Sequence, residues 1–193
     1  SKTSHNPRAQ HQPRTCGTVH HPRPCSRAVG RLPLPSVHDP PRVLLINLPH
    51  HERVQRRWVA SYYAPNFLIP PTELMGLASL LRDRAGAEIA LVDAIAEELD
   101  VAAVTSRYRA FEPDLIVSLS GFRILNEDLA ALGAIRDAMP GAASVIFGYL
   151  PGQAPEIVAR HPGVDHVLIG EPEEPLLELL QALVDEREPA GIP

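Results

Sequence analysis

Four short apolar segments each end next to glycine, proline or serine and are followed by the spacing of an amphipathic helix. They cover residues 43–48, 115–119, 144–147 and 164–169. Continuous apolar runs of this length, with β-branched members, are typical of strands that are buried on both faces of a parallel sheet. The repeated strand-to-helix plan therefore predicts an α/β fold that binds ligands at the carboxyl ends of its strands.

A fifth strand and five helices complete this plan. Residues 89–92 are expected to form a strand that ends at Asp93, and Thr72 is expected to cap the helix before it. The expected helices cover residues 72–86, 101–111, 126–139, 154–160 and 173–186. Right-handed crossovers then give the strand order 2-1-3-4-5 of a doubly wound, flavodoxin-like five-stranded parallel sheet. Its topological switch point lies between the first and third strands.

Residues 1–41 differ in composition from the rest of the chain. They hold eight of the 21 prolines and five of the nine histidines, with six basic residues against one acidic residue. They show no apolar period of a strand or a helix, so we expect a disordered tail. Residues 42–193 hold 12 basic residues against 22 acidic ones, which argues against a nucleic-acid partner.

The two cysteines, Cys16 and Cys25, lie in this tail on either side of His20 and His21. Eight residues separate the cysteines, whereas the paired cysteines of zinc fingers are two to four residues apart. The pattern therefore argues against a zinc site. No apolar segment approaches the roughly 20 residues of a membrane span, and the tail lacks the apolar core of a signal peptide. We expect a soluble, cytoplasmic protein that binds no membrane.

The loops at the carboxyl ends of the strands carry the candidate ligand-binding residues. Residues 49–71 form a long loop with charged and aromatic side chains, and the other loops are rich in small residues. The candidates are Ser118, Ser120, Gly121, Phe122, Gly148, Tyr149, Leu150, Gly170, Glu171 and Pro172. Glycines let a ligand touch the main chain, and serine hydroxyls can donate to a buried acceptor. The alternative is that these residues only make turns and that Glu171 only stabilises the dipole of the following helix.

Several enzyme classes are disfavoured because parts of their motifs are missing. A phospho-acceptor receiver domain needs an aspartate at the end of the third strand, where this chain has Ser118, Leu119 and Ser120. The first strand is followed by Pro49-His50-His51, which lacks the glycine pattern of a dinucleotide site. The sequence contains no phosphate-binding P-loop and no nucleophile elbow. The loops therefore predict a binding site without a catalytic residue of its own.

Four motifs occur in a characteristic order and spacing. They are Pro70-Pro71-Thr72-Glu73-Leu74-Met75-Gly76-Leu77-Ala78, Leu119-Ser120-Gly121, Phe147-Gly148 and Val164-Asp165-His166-Val167-Leu168-Ile169-Gly170-Glu171-Pro172-Glu173. Together, over residues 42–185, they resemble the cobalamin-binding domain of B12-dependent radical SAM proteins. The resemblance implies that a corrin lies over the carboxyl ends of the strands and that its nucleotide tail inserts beside the third strand. Ser120 then matches the serine that meets the tail, and Gly148 matches the first glycine of a pair.

The chain departs from the family pattern at three places. Tyr149 replaces the second glycine of the pair, and Ile124 replaces a threonine that often lies four residues after the serine. The histidine that ligates cobalt in other cobalamin domains has no counterpart at the matching spacing. The resemblance therefore implies a cobalt without a histidine ligand, and His50 and His51 are interpreted as solvated.

No cysteine follows Cys25, so the iron–sulfur motif that cleaves S-adenosylmethionine (SAM) is absent from this sequence. The resemblance implies that residues 187–193 begin a linker to a radical SAM domain that holds the cluster and SAM. Residues 42–186 would then bind cobalamin without catalysis of their own, within an enzyme for methyl transfer or carbon-skeleton chemistry. One alternative is a ligand-free docking or sensor domain of the same fold. Another is a phosphate-handling enzyme, although its basic cluster of Arg53, Arg56 and Arg57 is interpreted as solvated surface.

Overall fold

The computed structural model describes residues 37–58, 61–64 and 66–187 of the chain. The expectation of a disordered tail concerns residues 1–41, of which the first 36, with both cysteines, lie outside the described residues. Most of the expected linker, residues 188–193, lies outside them as well. Within the described ranges, every helix is too short or too polar to cross a membrane.

Seven strands and six α-helices form in the described part of the chain. The strands are β1 (Arg42–Asn47), β2 (Val54–Arg56), β3 (Ser61–Tyr63), β4 (Glu88–Asp93), β5 (Leu115–Leu119), β6 (Ala143–Phe147) and β7 (His166–Val167). The helices are α1 (Thr72–Ala85), α2 (Val101–Tyr108), α3 (Leu125–Ala138), α4 (Tyr149–Gln153), α5 (Pro155–Val158) and α6 (Glu173–Val184). A 3-10 helix, Arg109–Phe111, extends α2.

Five of the strands form one parallel sheet in the order β4-β1-β5-β6-β7. This is the predicted order 2-1-3-4-5, so the doubly wound α/β fold is confirmed. β1, β5 and β6 are almost wholly buried because helices cover both faces of the sheet. Asn47 pairs in register with Asp93, and Ile46 pairs with Ser118, so the carboxyl ends of β1, β4 and β5 lie at the same edge.

The sheet separates two apolar cores. On one face, Leu77 of α1 and Leu180 of α6 pack with residues of the central strands. On the other face, Val104 of α2 and Leu132 of α3 pack with the alternate residues of the same strands. Since successive strand residues point to opposite faces, each central strand contributes to both cores. The continuous apolar runs in the sequence are explained by this two-sided burial.

Helices begin differently from the prediction at two places. Thr72 is the first residue of α1 rather than its cap, and the cap position is Pro71, which has no side-chain bond to the helix. The Thr72 hydroxyl instead donates to the Glu73 carboxylate over 3.1 Å. After β6 the chain becomes helical at once, so Tyr149 and Leu150 lie in α4 rather than in an open loop.

The structure also differs from two predictions about strands. The long loop 49–71 contains the antiparallel pair β2–β3, in which Arg56 lies opposite Ser61. The fifth strand of the sheet is two residues long instead of six. Beyond it, the Leu168 amide still donates to the Ile146 carbonyl over 3.1 Å, so the chain stays against β6. Ile169 was predicted to lie in this strand because it is apolar. In the structure it is exposed and lies outside β7, so its apolar character does not reflect burial in the sheet.

Asp165 fixes the chain at the start of β7. Its carboxylate accepts hydrogen bonds from Arg136 Nη2 (3.0 Å) and Nε (3.1 Å). It also accepts from the amide (2.9 Å) and the hydroxyl (3.0 Å) of Ser144 in β6. Burial acts to raise the pKa of Asp165, but the bonds from Arg136 and Ser144 outweigh it and hold that pKa below its ordinary value. The folded protein therefore favours the charged carboxylate.

Replacing Asp165 with asparagine is expected to destabilise the protein at pH 7 more than at pH 3. Because the pKa is lower in the folded state, the stabilisation from Asp165 is fully present above the unfolded value of about 3.9 and is lost as the pH falls through the folded value. Urea unfolding at both pH values measures the difference. Asp137 lies 3.8 Å from Arg136 on the surface, so Asp137→Asn is the control and should have little effect. An Asp165→Asn effect of equal size at both pH values would contradict the assignment.

Candidate ligand-binding site

The loops after β5, β6 and β7 meet at the carboxyl edge of the sheet. The Ser120 amide donates to the Phe147 carbonyl over 2.9 Å, which joins the ends of β5 and β6. A β-carbon built on Gly152 would lie 4.0 Å from the Gly170 amide nitrogen, so the segments after β6 and β7 are neighbours. The structure therefore brings the three groups of predicted site residues together.

The ten predicted residues divide by exposure. Phe122 and Tyr149 are 60% and 50% exposed. Gly170 and Glu171 are exposed, and Leu150 is half-buried. Ser118 and Ser120 have no exposed surface, and Gly121, Gly148 and Pro172 are buried. A molecule on this edge can reach two aromatic rings and the surrounding main chain, but it cannot reach either serine hydroxyl.

Gly148 sets how closely the segments after β5 and β6 approach. Its φ of +127° and ψ of 174° belong to a region that glycine alone readily adopts. A β-carbon at this position would lie 2.0 Å from the Ser120 carbonyl oxygen. The glycine therefore allows the chain to pass directly against the end of β5 before Tyr149 reaches the surface.

Residues 54–58, here called the strap, connect the carboxyl edge to α1. The Trp58 ring packs against Phe147 with 5.9 Å between ring centres. Its carbonyl accepts from the Tyr149 amide over 3.0 Å, and its amide donates to the Glu73 carboxylate over 3.2 Å. Gln55 exchanges two hydrogen bonds with the main chain of Ile69, at 3.0 and 2.7 Å. The strap is thus fixed to α1, to the loop before α1 and to α4.

Arg56 is the centre of a buried polar network on the strap and is only 2% exposed. Its Nε and Nη2 donate to the Asp128 carboxylate over 3.2 and 2.7 Å, and its Nη1 donates to Asn47 Oδ1 over 2.8 Å. The Ser120 hydroxyl donates to the same carboxylate over 2.6 Å. Asp128 has no exposed surface, so the pair is an ion pair out of water whose charges are balanced by hydrogen bonds.

This network extends across the neighbouring strand. Asn47 Nδ2 donates to Asp93 Oδ1 over 2.6 Å, and the same oxygen accepts from the Ala96 amide over 3.2 Å. Polar contacts therefore link the carboxyl ends of β4, β1 and β5, where the strand order reverses. This is the switch point at which the fold predicts a ligand site.

Ser120 was predicted from its motif to belong to the site, whereas Arg56 and Asp128 were not predicted. The interpretation of Arg56 as solvated surface is wrong, because the structure buries it. The sequence of α3 did contain a sign of the buried ion pair. Asp128 lies four residues before Leu132 and seven before Ile135, on the apolar stripe of the helix. A carboxylate on a buried stripe requires a cation or several donors, so Asp128 indicated a partner from elsewhere in the chain.

Exposed apolar side chains are common in the segments that follow the carboxyl ends of the strands. Among the described residues, seven of the eleven exposed large apolar side chains lie in segments that follow the carboxyl end of a strand. These seven, here called the edge surface, are Tyr62, Tyr63, Phe67, Ile69, Phe122, Tyr149 and Ile169. The Arg123 guanidinium carbon lies 5.7 Å from the centre of the Tyr63 ring, which links the loop after β5 to β3. Contiguous apolar surface of this kind marks contact with a ligand or partner, whereas apolar side chains scattered singly do not.

His50 and His51 stack on each other with 4.4 Å between ring centres. Nδ1 of His50 lies 3.0 Å from the Glu52 amide nitrogen and 3.2 Å from the Glu52 carbonyl oxygen. Across the part of the chain that the structure describes, no three His, Cys, Asp or Glu side chains are grouped to hold a metal ion. The absence of a histidine ligand to cobalt stays a prediction.

The fold and the edge define a doubly wound α/β domain with a candidate ligand site at its switch point. No family model and no curated protein matches the chain. Among solved structures, it is similar to the radical SAM methyltransferase TsrM from Kitasatospora setae, determined with tryptophan and a SAM analogue bound. The TM-score is 0.61 at 24% identity, over 79% of this chain and 27% of TsrM.

The chain is also similar to the cobalamin-dependent SAM radical enzyme OxsB. The OxsB structure with aqua-cobalamin and SAM matches with a TM-score of 0.58 at 18% identity, over 77% of this chain and 19% of OxsB. The structure with aqua-cobalamin matches with a TM-score of 0.59. The chain thus spans about a quarter or less of the enzymes it matches. The likeness shows the fold, and the resemblance predicted from the motifs is confirmed at that level.

Proposed function

We propose that residues 42–186 are a cobalamin-binding module of a B12-dependent radical SAM enzyme. The observation that carries the proposal is the edge surface, which lies where open parallel sheets bind their ligands. The likeness in fold to OxsB, whose solved structures contain aqua-cobalamin, supports it. In this proposal, the iron–sulfur cluster and SAM belong to a downstream radical SAM domain, which is the partner of the module in the cytoplasm.

The residues of the edge fit a corrin in their chemistry. A corrin is a broad, mostly apolar disc whose rim carries amide groups, so it needs an apolar surface surrounded by main-chain donors and acceptors. Phe122 and Tyr149 are exposed rings of the kind that cover such a disc. Gly170 exposes main chain beside them, and its φ of +78° turns the chain at the end of β7. When bound, a corrin supplies a cobalt centre for methyl transfer or carbon-skeleton chemistry.

In this proposal, the exposure of each residue sets its role. Phe122, Tyr149 and Leu150 contact the corrin, and the buried Gly121 and Gly148 shape the main chain that carries these side chains. Gly170 and Glu171 provide hydrogen-bonding groups for its amides, and the dipole of α6 stabilises the carboxylate of Glu171. Pro172 is buried and holds the start of α6. Ser118 and Ser120 support the surface from below, so the chain binds and orients its ligand without a catalytic group.

Titration of the purified chain with hydroxocobalamin, followed by gel filtration and a visible spectrum of the protein peak, tests the proposal. We expect the corrin to co-elute and to show a spectrum without a coordinated histidine. Tyr149→Ala and Phe122→Ala should each raise the Kd by about tenfold, because each removes an aromatic ring that is worth at least about 1.4 kcal/mol when covered.

Val184→Ala is the matched control. Val184 is also an exposed apolar residue, but it lies at the end of α6 farthest from the edge. This variant should bind hydroxocobalamin with the affinity of the unmodified protein, and circular dichroism should show that all three variants are folded. Absence of corrin from the protein peak would contradict the proposal and favour a docking or sensor domain.

A further inference from the structure

Ser120 belongs to a buried network that also holds Arg56. Ser120 has no exposed surface, and its hydroxyl hydrogen is directed to Asp128 over 2.6 Å. The guanidinium of Arg56 binds the same carboxylate and is itself buried. A ligand group that bonds to the Ser120 hydroxyl must therefore break its bond to Asp128, in a buried space that the Arg56 guanidinium already occupies in part.

Several contacts oppose a movement of Arg56. Arg56 makes hydrogen bonds to Asp128 and Asn47, and its neighbour Gln55 is bonded twice to Ile69. Moving Arg56 would leave the Asp128 carboxylate buried without a cation, which is strongly unfavourable. The rings of Phe122 and Tyr149 are already exposed, so contact with the face of a corrin needs no such change.

We propose that Arg56 determines ligand specificity by filling the space beside Ser120, so that the site binds corrinoids by their ring and not by their nucleotide loop. This inference rests on the proposed function and names its ligand class, which includes complete and incomplete corrinoids. It replaces the expectation that Ser120 meets the nucleotide tail. Ser120 is instead a positioning residue that holds Asp128 against Arg56.

The test compares two corrinoids on the unmodified protein. Aquacobinamide has the corrin ring of hydroxocobalamin but lacks the nucleotide loop, so equilibrium dialysis with each gives the contribution of that loop. We expect the two Kd values to agree within about threefold, which is below one tenfold step in affinity. Hydroxocobalamin binding at least tenfold more tightly would overturn the inference while leaving the proposed function intact. Binding of neither corrinoid would overturn the proposed function, and the inference with it.

Ser120→Ala provides a second measurement. The variant should unfold at a lower urea concentration, because it loses the buried hydrogen bond to Asp128, but its Kd for each corrinoid should stay within about threefold. Ser118→Ala is the matched control, since Ser118 is equally buried and its hydroxyl lies 3.5 Å from the Val145 carbonyl, outside the network. A selective loss of affinity for hydroxocobalamin in Ser120→Ala would overturn the inference. If that variant does not fold, the comparison on the unmodified protein decides alone.

Discussion

Replacing Arg56 with methionine is expected to lower the free energy of unfolding by about 3–5 kcal/mol. The change leaves Asp128, which has no exposed surface, as a buried charge without a cation. It also removes the donor that lies 2.8 Å from Asn47 Oδ1. Methionine fills much of the same space, so the lower free energy of unfolding comes mainly from the lost charge and hydrogen bonds and less from a cavity. Urea unfolding followed by circular dichroism measures the effect.

The neighbouring Arg57 is the control for this prediction. Arg57 pairs with Glu73 over 3.0 Å, but its side chain is 37% exposed, so Arg57→Met should cost less than about 1 kcal/mol. The double variant Arg56→Met/Asp128→Leu should recover part of the lost stability, because it leaves no charge buried. Equal effects of the two single arginine variants would show that the network does not hold the strap.

Much of the sheet could be predicted from the sequence. β1, β5 and β6 are buried on both faces of the sheet. This two-sided burial requires a continuous apolar run, which is the pattern that predicted the strands. Right-handed crossovers then leave few possible strand orders. The edge strand β7 was less predictable, because Val164 and Leu168 are buried by packing although only two residues between them pair with β6.

The structure of the loop after β1 could not be predicted in the same way. β2 and β3 have three residues each, which is too short for an apolar alternation to indicate a strand. Their positions depend on side-chain contacts with distant residues, such as those from Arg56 to Asp128 and from Trp58 to Phe147. Among three arginines in one loop, sequence spacing cannot show which one is buried.

The sequence predicted which loops meet at one edge of the sheet but not which of their residues are buried. Parallel strands bring the loops at their carboxyl ends together, so Gly121, Gly148 and Gly170 were expected at one edge. The sequence motif did not show that Ser120 lies beneath an ion pair, because the cation comes from Arg56, 64 residues earlier in the numbering. The sequence therefore indicates which strand ends form the site, and tertiary contacts decide which atoms a ligand can reach.

Replacing Gly148 with alanine is expected to lower the free energy of unfolding by about 3–5 kcal/mol, from backbone strain and steric overlap together. The φ of +127° and ψ of 174° are unfavourable for any residue with a β-carbon. The added atom would also lie 2.0 Å from the Ser120 carbonyl oxygen and 3.1 Å from Leu119 Cδ1. Main-chain atoms cannot move aside as the end of a flexible side chain can. Urea unfolding measures the effect.

Gly86→Ala separates the two causes. Gly86 has a φ of +64° at the end of α1, and a β-carbon there would meet nothing within 4 Å. This control should therefore show backbone strain alone, about 1–2 kcal/mol. If Gly148→Ala folds, the segments after β5 and β6 must separate to relieve the overlap, which would displace Tyr149 and weaken hydroxocobalamin binding as well. A Gly148→Ala protein as stable as the Gly86→Ala control would contradict the close approach that shapes the edge surface.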